Sequence, residues 1–427
     1  MKKRVALITH EISGAGGLPT MVSFLYRLLR ESGRYEPELI SLATSAADTA
    51  SLQLKSPSTW IREPRLEQVP WRELTFTHAG VWGSELEFQR YRPRRKLTEL
   101  LQDFDLLQFV VGSPPWVCIA EGIDRPKLLW TATTTRADRA SQIRNGSLAR
   151  RAWSSLMIPL TEQSEKRGLQ AAHKVFALSD YTRAAVESII GPEKVELAPC
   201  GVDTQRFRPA ETSQSNYIIC VARFSDPRKN VRLLLEAYAA VIHAIPNAPD
   251  LCLIGDPPTV ASQAYLQTLN IAQRVRLLGP KHGEELSELY RNASFFVLSS
   301  DEEGLAIVLL EAMASGLAVI STDCGGPSTA ISHGENGLLT SVGDAEALAA
   351  AMQQLVLEPS LRERFGKEGR RTAEKRFSLD ATGQVFLNAY DAALDGEIAL
   401  ARPSKSRSQI DGSLPVALSS EQRPSKS

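Results

Sequence analysis

The chain has no Cys-x-x-Cys pair, no long apolar run and no excess of charge of either sign. Its five cysteines, Cys118, Cys200, Cys220, Cys252 and Cys324, are scattered and odd in number, so neither a zinc ribbon nor a disulfide framework is indicated. They read as small buried thiols of a reducing, cytoplasmic interior. Lys+Arg and Asp+Glu both number 49, which excludes a generally basic nucleic-acid coat and an acidic disordered chain; no nucleic-acid partner is expected. No stretch reaches the roughly 18 apolar residues of a transmembrane helix. Val5-Ala6-Leu7-Ile8, after the basic Met1-Lys2-Lys3-Arg4, is too short for the apolar core of a signal peptide. A Walker A sequence is missing. Gly14-Ala15-Gly16-Gly17 does not open a G-x-G-x-x-G dinucleotide fingerprint, because Pro19 occupies the last glycine position.

What is present is an alternation. The 427 residues, 43% apolar and 23% charged, suit an ordinary globular protein of two or three domains. Short apolar runs at 5–9, 39–42, 105–111, 128–131, 174–178 and 195–199 read as strands, with helical spacing at 20–31 and 179–189. A second series begins at 217–221 and continues at 251–254, 275–278, 295–298 and 318–321. Its helices are expected at 231–244, 261–269, 283–292 and 306–314. This predicts an α/β protein of two Rossmann-like doubly wound domains facing a cleft at the carboxyl ends of their strands. The expected boundaries are 1–205, 206–378, a helix at 379–395, and a Ser-, Pro-, Lys- and Arg-rich disordered tail at 396–427. Residues 45–100, with Trp60, Trp71 and Trp82, show weak periodicity and read as an elaboration of the first domain.

Residues 136–172 read as a long helical region carrying Arg144, Arg150, Arg151, Lys166 and Arg167 between Trp153, Leu156, Met157 and Leu160. A surface helix with one buried face is the plainer reading. A face for peripheral contact with an anionic inner membrane surface is the sharper one, with Arg90, Arg92, Arg94, Arg95 and Lys96 adding to it.

The segment with most chemical content runs from Ser299 to Gly316. A loop after a strand delivers Glu303 just before a helix, and Glu311 follows eight residues on, about 12 Å at helical rise. That is the reach of a sugar diphosphate plus ribose, and a helix start favours phosphate. Solvated surface glutamates are the alternative. Arg223 and Lys229 flank a turn after the strand 217–221, so both cations can aim at one anion. The glycines Gly16 and Gly17 permit close backbone approach to a ligand across the cleft. Asp103-Phe104-Asp105 superficially matches a D-x-D metal motif but precedes a buried strand. No His/Cys/Asp set has metal spacing, and the scattered histidines read as structural.

Arg223, Lys229-Asn230, Glu303-Gly304, Glu311-Ala312-Met313-Ala314-Ser315-Gly316 and Gly325-Gly326-Pro327 together resemble the retaining glycosyltransferases of family 4, with the GT-B fold. Gly201-Val202-Asp203 resembles the family's interdomain connector, and the run from Gly334 to Leu339 its later loop. The resemblance implies transfer of a sugar from a nucleotide-diphosphate sugar, most often a UDP-sugar, to a hydroxyl of a sugar, glycolipid or lipid-linked acceptor in surface glycan, exopolysaccharide or glycolipid assembly. It implies that Arg223 and Lys229 neutralise the diphosphate, Glu303 holds the donor sugar and Glu311 the ribose. The N–H groups of Leu305, Ala306 and Ile307 would cap phosphate, Gly304 would belong to the same donor-binding set, Leu278 would lie beside the base, and Gly16 and Gly17 would close on the diphosphate and acceptor. The helix at 379–394 would cross back onto the first domain. No cofactor and no metal are expected. The usual Asn of the connector is Cys200, one extra residue separates Arg223 from Lys229-Asn230, and the acceptor-side His of a T-x-H pattern is Thr133. A non-catalytic nucleotide-sugar-binding protein and a GT-B nucleotide-sugar epimerase are the alternatives.

Overall fold

Strands such as Leu106–Val111 and Lys127–Thr131 are buried at every position, the mark of parallel strands covered on both faces rather than one. The computed structural model describes residues 2–10, 12, 16–45, 47–71, 73–137, 148–210 and 217–396, with 148–157 described by backbone only. Two sheets organise it. The first holds eight strands: β1 (Lys3–Thr9), β2 (Tyr35–Leu42), β3 (Leu66–Trp71), β4 (Leu74–Ala79), β5 (Leu106–Val111), β6 (Lys127–Thr131), β7 (Lys174–Ala177) and β8 (Val195–Leu197). Their order is β3-β4-β2-β1-β5-β6-β7-β8, and every pair except β3–β4 is parallel. The second holds β9 (Tyr217–Val221), β10 (Asp250–Ile254), β11 (Val275–Gly279), β12 (Phe295–Leu298), β13 (Val319–Thr322) and β14 (Leu338–Thr340). It is parallel throughout, in the order β11-β10-β9-β12-β13-β14.

Strand order reverses between β1 and β5 and again between β9 and β12. Loops leaving the carboxyl ends at such a point diverge and leave a crevice. In both sheets that crevice faces the other domain.

Three elements differ from the sequence pattern. Within the stretch of weak periodicity, Leu66–Trp71 and Leu74–Ala79 form an antiparallel hairpin that adds two strands to the edge of the first sheet. Pro70 and the partly exposed positions of β3 suit an edge strand but hide it from an apolar-run search. Leu338–Thr340 adds a strand where a loop is expected. The long helix is described over Leu148–Ala171 and carries Pro159 inside it. The side chains of Arg144, Arg150, Arg151, Trp153, Leu156 and Met157 lie outside the described residues, as does the tail after Gly396.

The chain returns to the first sheet at its end. Val202 donates its N–H to the Phe377 carbonyl at 2.7 Å, so the outgoing and incoming connections lie side by side. Ser378 then caps the helix Leu379–Leu394. That helix packs Phe386 against Trp130 and Phe176, ring centroids 4.6 Å apart in each case. Tyr390 donates to Gln108 Oε1 at 2.8 Å from a fully buried position. Burying a Phe of this kind contributes on the order of 1.5–3 kcal/mol.

Candidate active site

Arg223, Lys229 and Glu303 sit on loops after strands of the second sheet that polar contacts tie to one another. After β9, Asp226 accepts from the Arg228 backbone N–H at 3.0 Å and pairs with its guanidinium at 2.8 Å. Burial raises the Asp226 carboxyl, but the Arg228 contacts outweigh it and hold the group below its ordinary range. Asn230, in left-handed conformation at φ 41°, caps the helix Val231–Ala244 through Leu233 N–H at 3.2 Å. Its amide nitrogen donates to Asp301 Oδ1 at 2.8 Å, and Asp301 N–H donates back to the Arg228 carbonyl at 2.7 Å. Ser299 Oγ donates to the Lys229 carbonyl at 3.0 Å. The loops after β9 and β12 are thereby one rigid unit.

That unit brings Lys229 and Glu303 together. Lys229 Nζ lies 2.6 Å from Glu303 Oε1, with side chains only 16% and 10% exposed. Ser300 Oγ donates to the same oxygen at 2.6 Å. Arg223 is more exposed and lies 3.4 Å from Asp226, a looser pairing.

Glu303 also ties to the loop after β13. Its N–H donates to the Cys324 carbonyl at 3.3 Å, and its carbonyl accepts from Gly326 N–H at 2.9 Å. A Cβ at Gly326 would stand 2.5 Å from the Leu305 nitrogen, so only glycine allows this approach. Gly304 lies against the Ala132 carbonyl of the other domain, 3.1 Å from where its Cβ would be. Ala306 then takes φ 66° and ψ 75°, a left-handed conformation that costs a non-glycine residue roughly 1–2 kcal/mol. The helix that follows is Ile307–Ala314, starting one residue later than the pattern indicates and without a side-chain cap. Its first N–H groups lack intrahelical acceptors and, with the helix dipole, favour an anion there. Leu305 and Ala306 precede that turn rather than form it.

Glu311 is one helical turn from Ile307, not two, so the 12 Å expected from helical rise over eight residues applies only to its last half. It accepts from the Tyr290 hydroxyl at 3.0 Å. Burial pushes its carboxyl up to about 7, with the Tyr290 hydrogen bond and the charge of Arg206 acting against that rise. Leu278 lies near the end of β11, the outer strand of the second sheet, partly buried against the core that includes Tyr290. Tyr290 and Ser300 were not distinguishable in sequence: a tyrosine at a helix position and a serine in a loop carry no local signal of the carboxylates they meet.

From the first domain, the glycine loop reaches the same place. A Cβ at Gly16 would lie 3.9 Å from Arg223 Nη1, and one at Gly17 would lie 4.0 Å from Ile307 Cδ1. Gly14 and Ala15 lie outside the described residues. Thr133 is held at the end of β6 by its N–H, which donates to the Gly112 carbonyl at 3.0 Å. His10 is partly buried, stacks on Trp116 at 5.0 Å and accepts Gly112 N–H on Nε2 at 2.9 Å. Burial lowers it to about 4, so it is a neutral prop for the loops after β1 and β5. The Asp103-Phe104-Asp105 run sits at the amino end of β5, where Asp105 accepts Arg4 N–H at 2.8 Å, on the sheet edge opposite the cleft. Among the described residues no group of three or more His, Cys, Asp or Glu is arranged to hold a metal ion, and no helix is long and apolar enough to cross a membrane.

Comparison with known proteins bears on the family and the fold. Residues 15–206 match the family model described as Glycosyltransferase Family 4, and residues 201–372 the one described as Glycosyl transferases group 1. The chain is 29% identical over 270 residues to a GDP-mannose-dependent alpha-(1-6)-phosphatidylinositol monomannoside mannosyltransferase of Mycobacterium tuberculosis, over 56% of this chain and 68% of that one. Its fold matches sucrose-phosphate synthase from Thermosynechococcus elongatus with a TM-score of 0.71 at 20% identity, covering 92% of this chain and all of that one. It matches Anabaena HepE in complex with UDP with a TM-score of 0.67 at 17% identity, over 92% and 100% of the two chains. The crevice between two Rossmann-like sheets, the cationic loop after β9 and the paired family models lead to one assignment: the chain belongs to the GT-B glycosyltransferases of group 1 and family 4, enzymes acting on nucleotide sugars.

Proposed function

We propose that the protein transfers a sugar, with retained anomeric configuration and without a metal ion, from a UDP-sugar to a hydroxyl of a sugar, glycolipid or lipid-linked acceptor. The setting is surface glycan, exopolysaccharide or glycolipid assembly at the cytoplasmic face of the membrane. The observation that carries the reading is the Lys229–Glu303 pair at 2.6 Å, near the uncapped helix start at Ile307; Lys229 shares its loop with Arg223, which Gly16 of the first domain approaches. Breaking the glycosidic bond builds negative charge on the leaving diphosphate. Preorganised cations and helix N–H groups stabilise that charge where a metal would otherwise be needed. Lys229 and Arg223 are the cations in place. Both Lys229 and Ser300 contact Glu303 through Oε1, which leaves Oε2 to accept from a donor-sugar hydroxyl. Glu311 would accept from ribose hydroxyls. Thr133, a hydroxyl at the end of β6, has no activated base to work with and would only line the acceptor side.

The test starts with a thermal-shift screen of UDP-, GDP- and ADP-sugars to choose the donor. Transfer to a simple alkyl glycoside is then followed by proton NMR in excess EDTA. The expected product carries the donor's anomeric configuration, at a rate equal to that without EDTA. An inverted product, an epimer formed from donor alone, or activity lost in EDTA and restored by Mn²⁺ or Mg²⁺ would each overturn the reading.

A further inference from the structure

A second concentration of positive charge lies in the first domain, away from the residues described above. A cavity of about 240 Å³ opens between the start of β3, the loop after β4 and the segment 92–97. It is lined by Arg65, Arg92, Arg94, Arg95 and Lys96, with Glu63 as the one carboxylate among the lining residues. Three of the cations have partners: Arg65 pairs with Glu67 at 2.9 Å, Arg95 with Glu99 at 3.1 Å and Lys96 with Glu63 at 3.1 Å. Among the described residues, the Arg92 side chain has a ring contact with Phe88 at 5.7 Å.

Arg94 is the unusual one. Its two terminal nitrogens donate to the carbonyls of Ala79 at 3.0 Å and Arg90 at 2.6 Å, both neutral acceptors. Its Nε is buried with no hydrogen-bond partner. Asp48 is the carboxylate near enough to act on it, but Asp48 is committed to His78 Nε2 at 2.8 Å and to the Ser51 hydroxyl. Burial lowers the Arg94 guanidinium to about 10. A partly buried guanidinium whose hydrogen bonds go only to carbonyls, with its nearest carboxylate committed elsewhere, is costly, and an anion placed beside it would offset that cost.

We propose that this cavity is an anion site that takes a phosphate group, with the apolar part of the ligand lying on the half-exposed Trp82 indole at its rim. Its size allows a phosphate and a small attached body but not a nucleotide sugar, since pockets for larger ligands span about 300–1,000 Å³. Its position is suited to an extended ligand. β3 begins opposite Ala79, the last residue of β4, and β4 runs parallel to β2 and β2 to β1. The cavity therefore shares the carboxyl edge of the sheet with the cleft, displaced by two strand spacings, about 10 Å, from β1.

The test titrates inorganic phosphate calorimetrically into the full chain carrying Arg223→Ala and Lys229→Ala, so that the donor site does not contribute. In parallel, flotation compares vesicles of phosphatidylcholine with vesicles that also contain phosphatidylglycerol. Binding of free phosphate that Arg92→Ala and Arg94→Lys each weaken about tenfold or more supports a soluble phosphorylated ligand. Binding only to the phosphatidylglycerol vesicles, lost in the same variants, supports a lipid phosphate. Arg92 is exposed and outside the donor machinery. Its substitution in the otherwise unaltered enzyme should leave folding and nucleotide affinity unchanged, which keeps the test decisive if Arg94→Lys does not fold. Absence of both kinds of binding, binding indifferent to Arg92→Ala, or binding that disappears with Arg223→Ala and Lys229→Ala would overturn the proposal.

Discussion

Glu311→Gln is expected to stabilise the ligand-free protein while weakening its grip on nucleotide, and the two effects can be separated by pH. In the folded chain burial lifts the Glu311 carboxyl to about 7, against an ordinary value of 4.5. Below pH 4.5 the group is protonated whether the chain is folded or not, and it costs nothing. Between there and about 7 the unfolded chain ionises while the folded chain holds its proton, so stability falls as pH rises. Above about 7 the whole penalty is present, at most about 3 kcal/mol at roughly 1.4 kcal/mol per pH unit. Gln is neutral throughout, and its amide oxygen still accepts from Tyr290. Near pH 5 the two proteins should therefore differ little. At pH 8 the variant should be the more stable by up to that amount, roughly 6–12 °C in Tm for a domain of this size. Saturating nucleoside diphosphate should narrow or cancel that difference, because ribose hydroxyls donating to a carboxylate are worth about 1.5–3 kcal/mol, a 10- to 150-fold loss of affinity in the variant. Calorimetric melting at the two pH values, with and without nucleotide, measures all four quantities. An equal effect of the substitution at both pH values would show that Glu311 carries no desolvated charge. Unchanged nucleotide affinity would remove it from the donor site.

Three further outcomes follow from the geometry. Glu303→Gln should lower kcat by about 10²-fold or more with a smaller change in nucleotide Kd, because its contacts to a sugar gaining positive charge strengthen in the transition state; an effect confined to Kd would invert its role with that of Glu311. Thr133→Ala should lower kcat by less than about tenfold, about 1.4 kcal/mol in barrier, and a collapse of about 1,000-fold would make the hydroxyl essential on the acceptor side. Gly326→Ala should lower stability by about 1–3 kcal/mol in urea unfolding, since a Cβ would meet the Leu305 nitrogen at 2.5 Å, and a neutral result would mean that the loops after β12 and β13 are not locked together.

Much of this was legible in the residues themselves. The apolar runs at 106–111, interrupted by Gln108, and at 295–298 point to strands covered on both faces, and their alternation with helical spacing leaves little but parallel sheets with a crevice at the carboxyl ends. The order of the motifs then places Arg223, Lys229 and Glu303 at ends of strands of one sheet, because each follows an apolar run directly. The sequence by itself therefore determined the fold class and the loops that carry the chemistry. It did not determine the β3–β4 hairpin, whose half-exposed edge strand lacks the apolar contrast that periodicity detects. Nor did it determine that Lys229 and Glu303, 74 positions apart, share a hydrogen bond, or that burial beside Tyr290 changes the proton affinity of Glu311. Arg94 reads as one more cation in a surface cluster until packing removes its water and supplies only carbonyls in return. Local pattern reports the average environment of a segment. Desolvation and charge pairing depend on which distant segments close over a side chain, and that was decided only when the two domains and the hairpin folded into place.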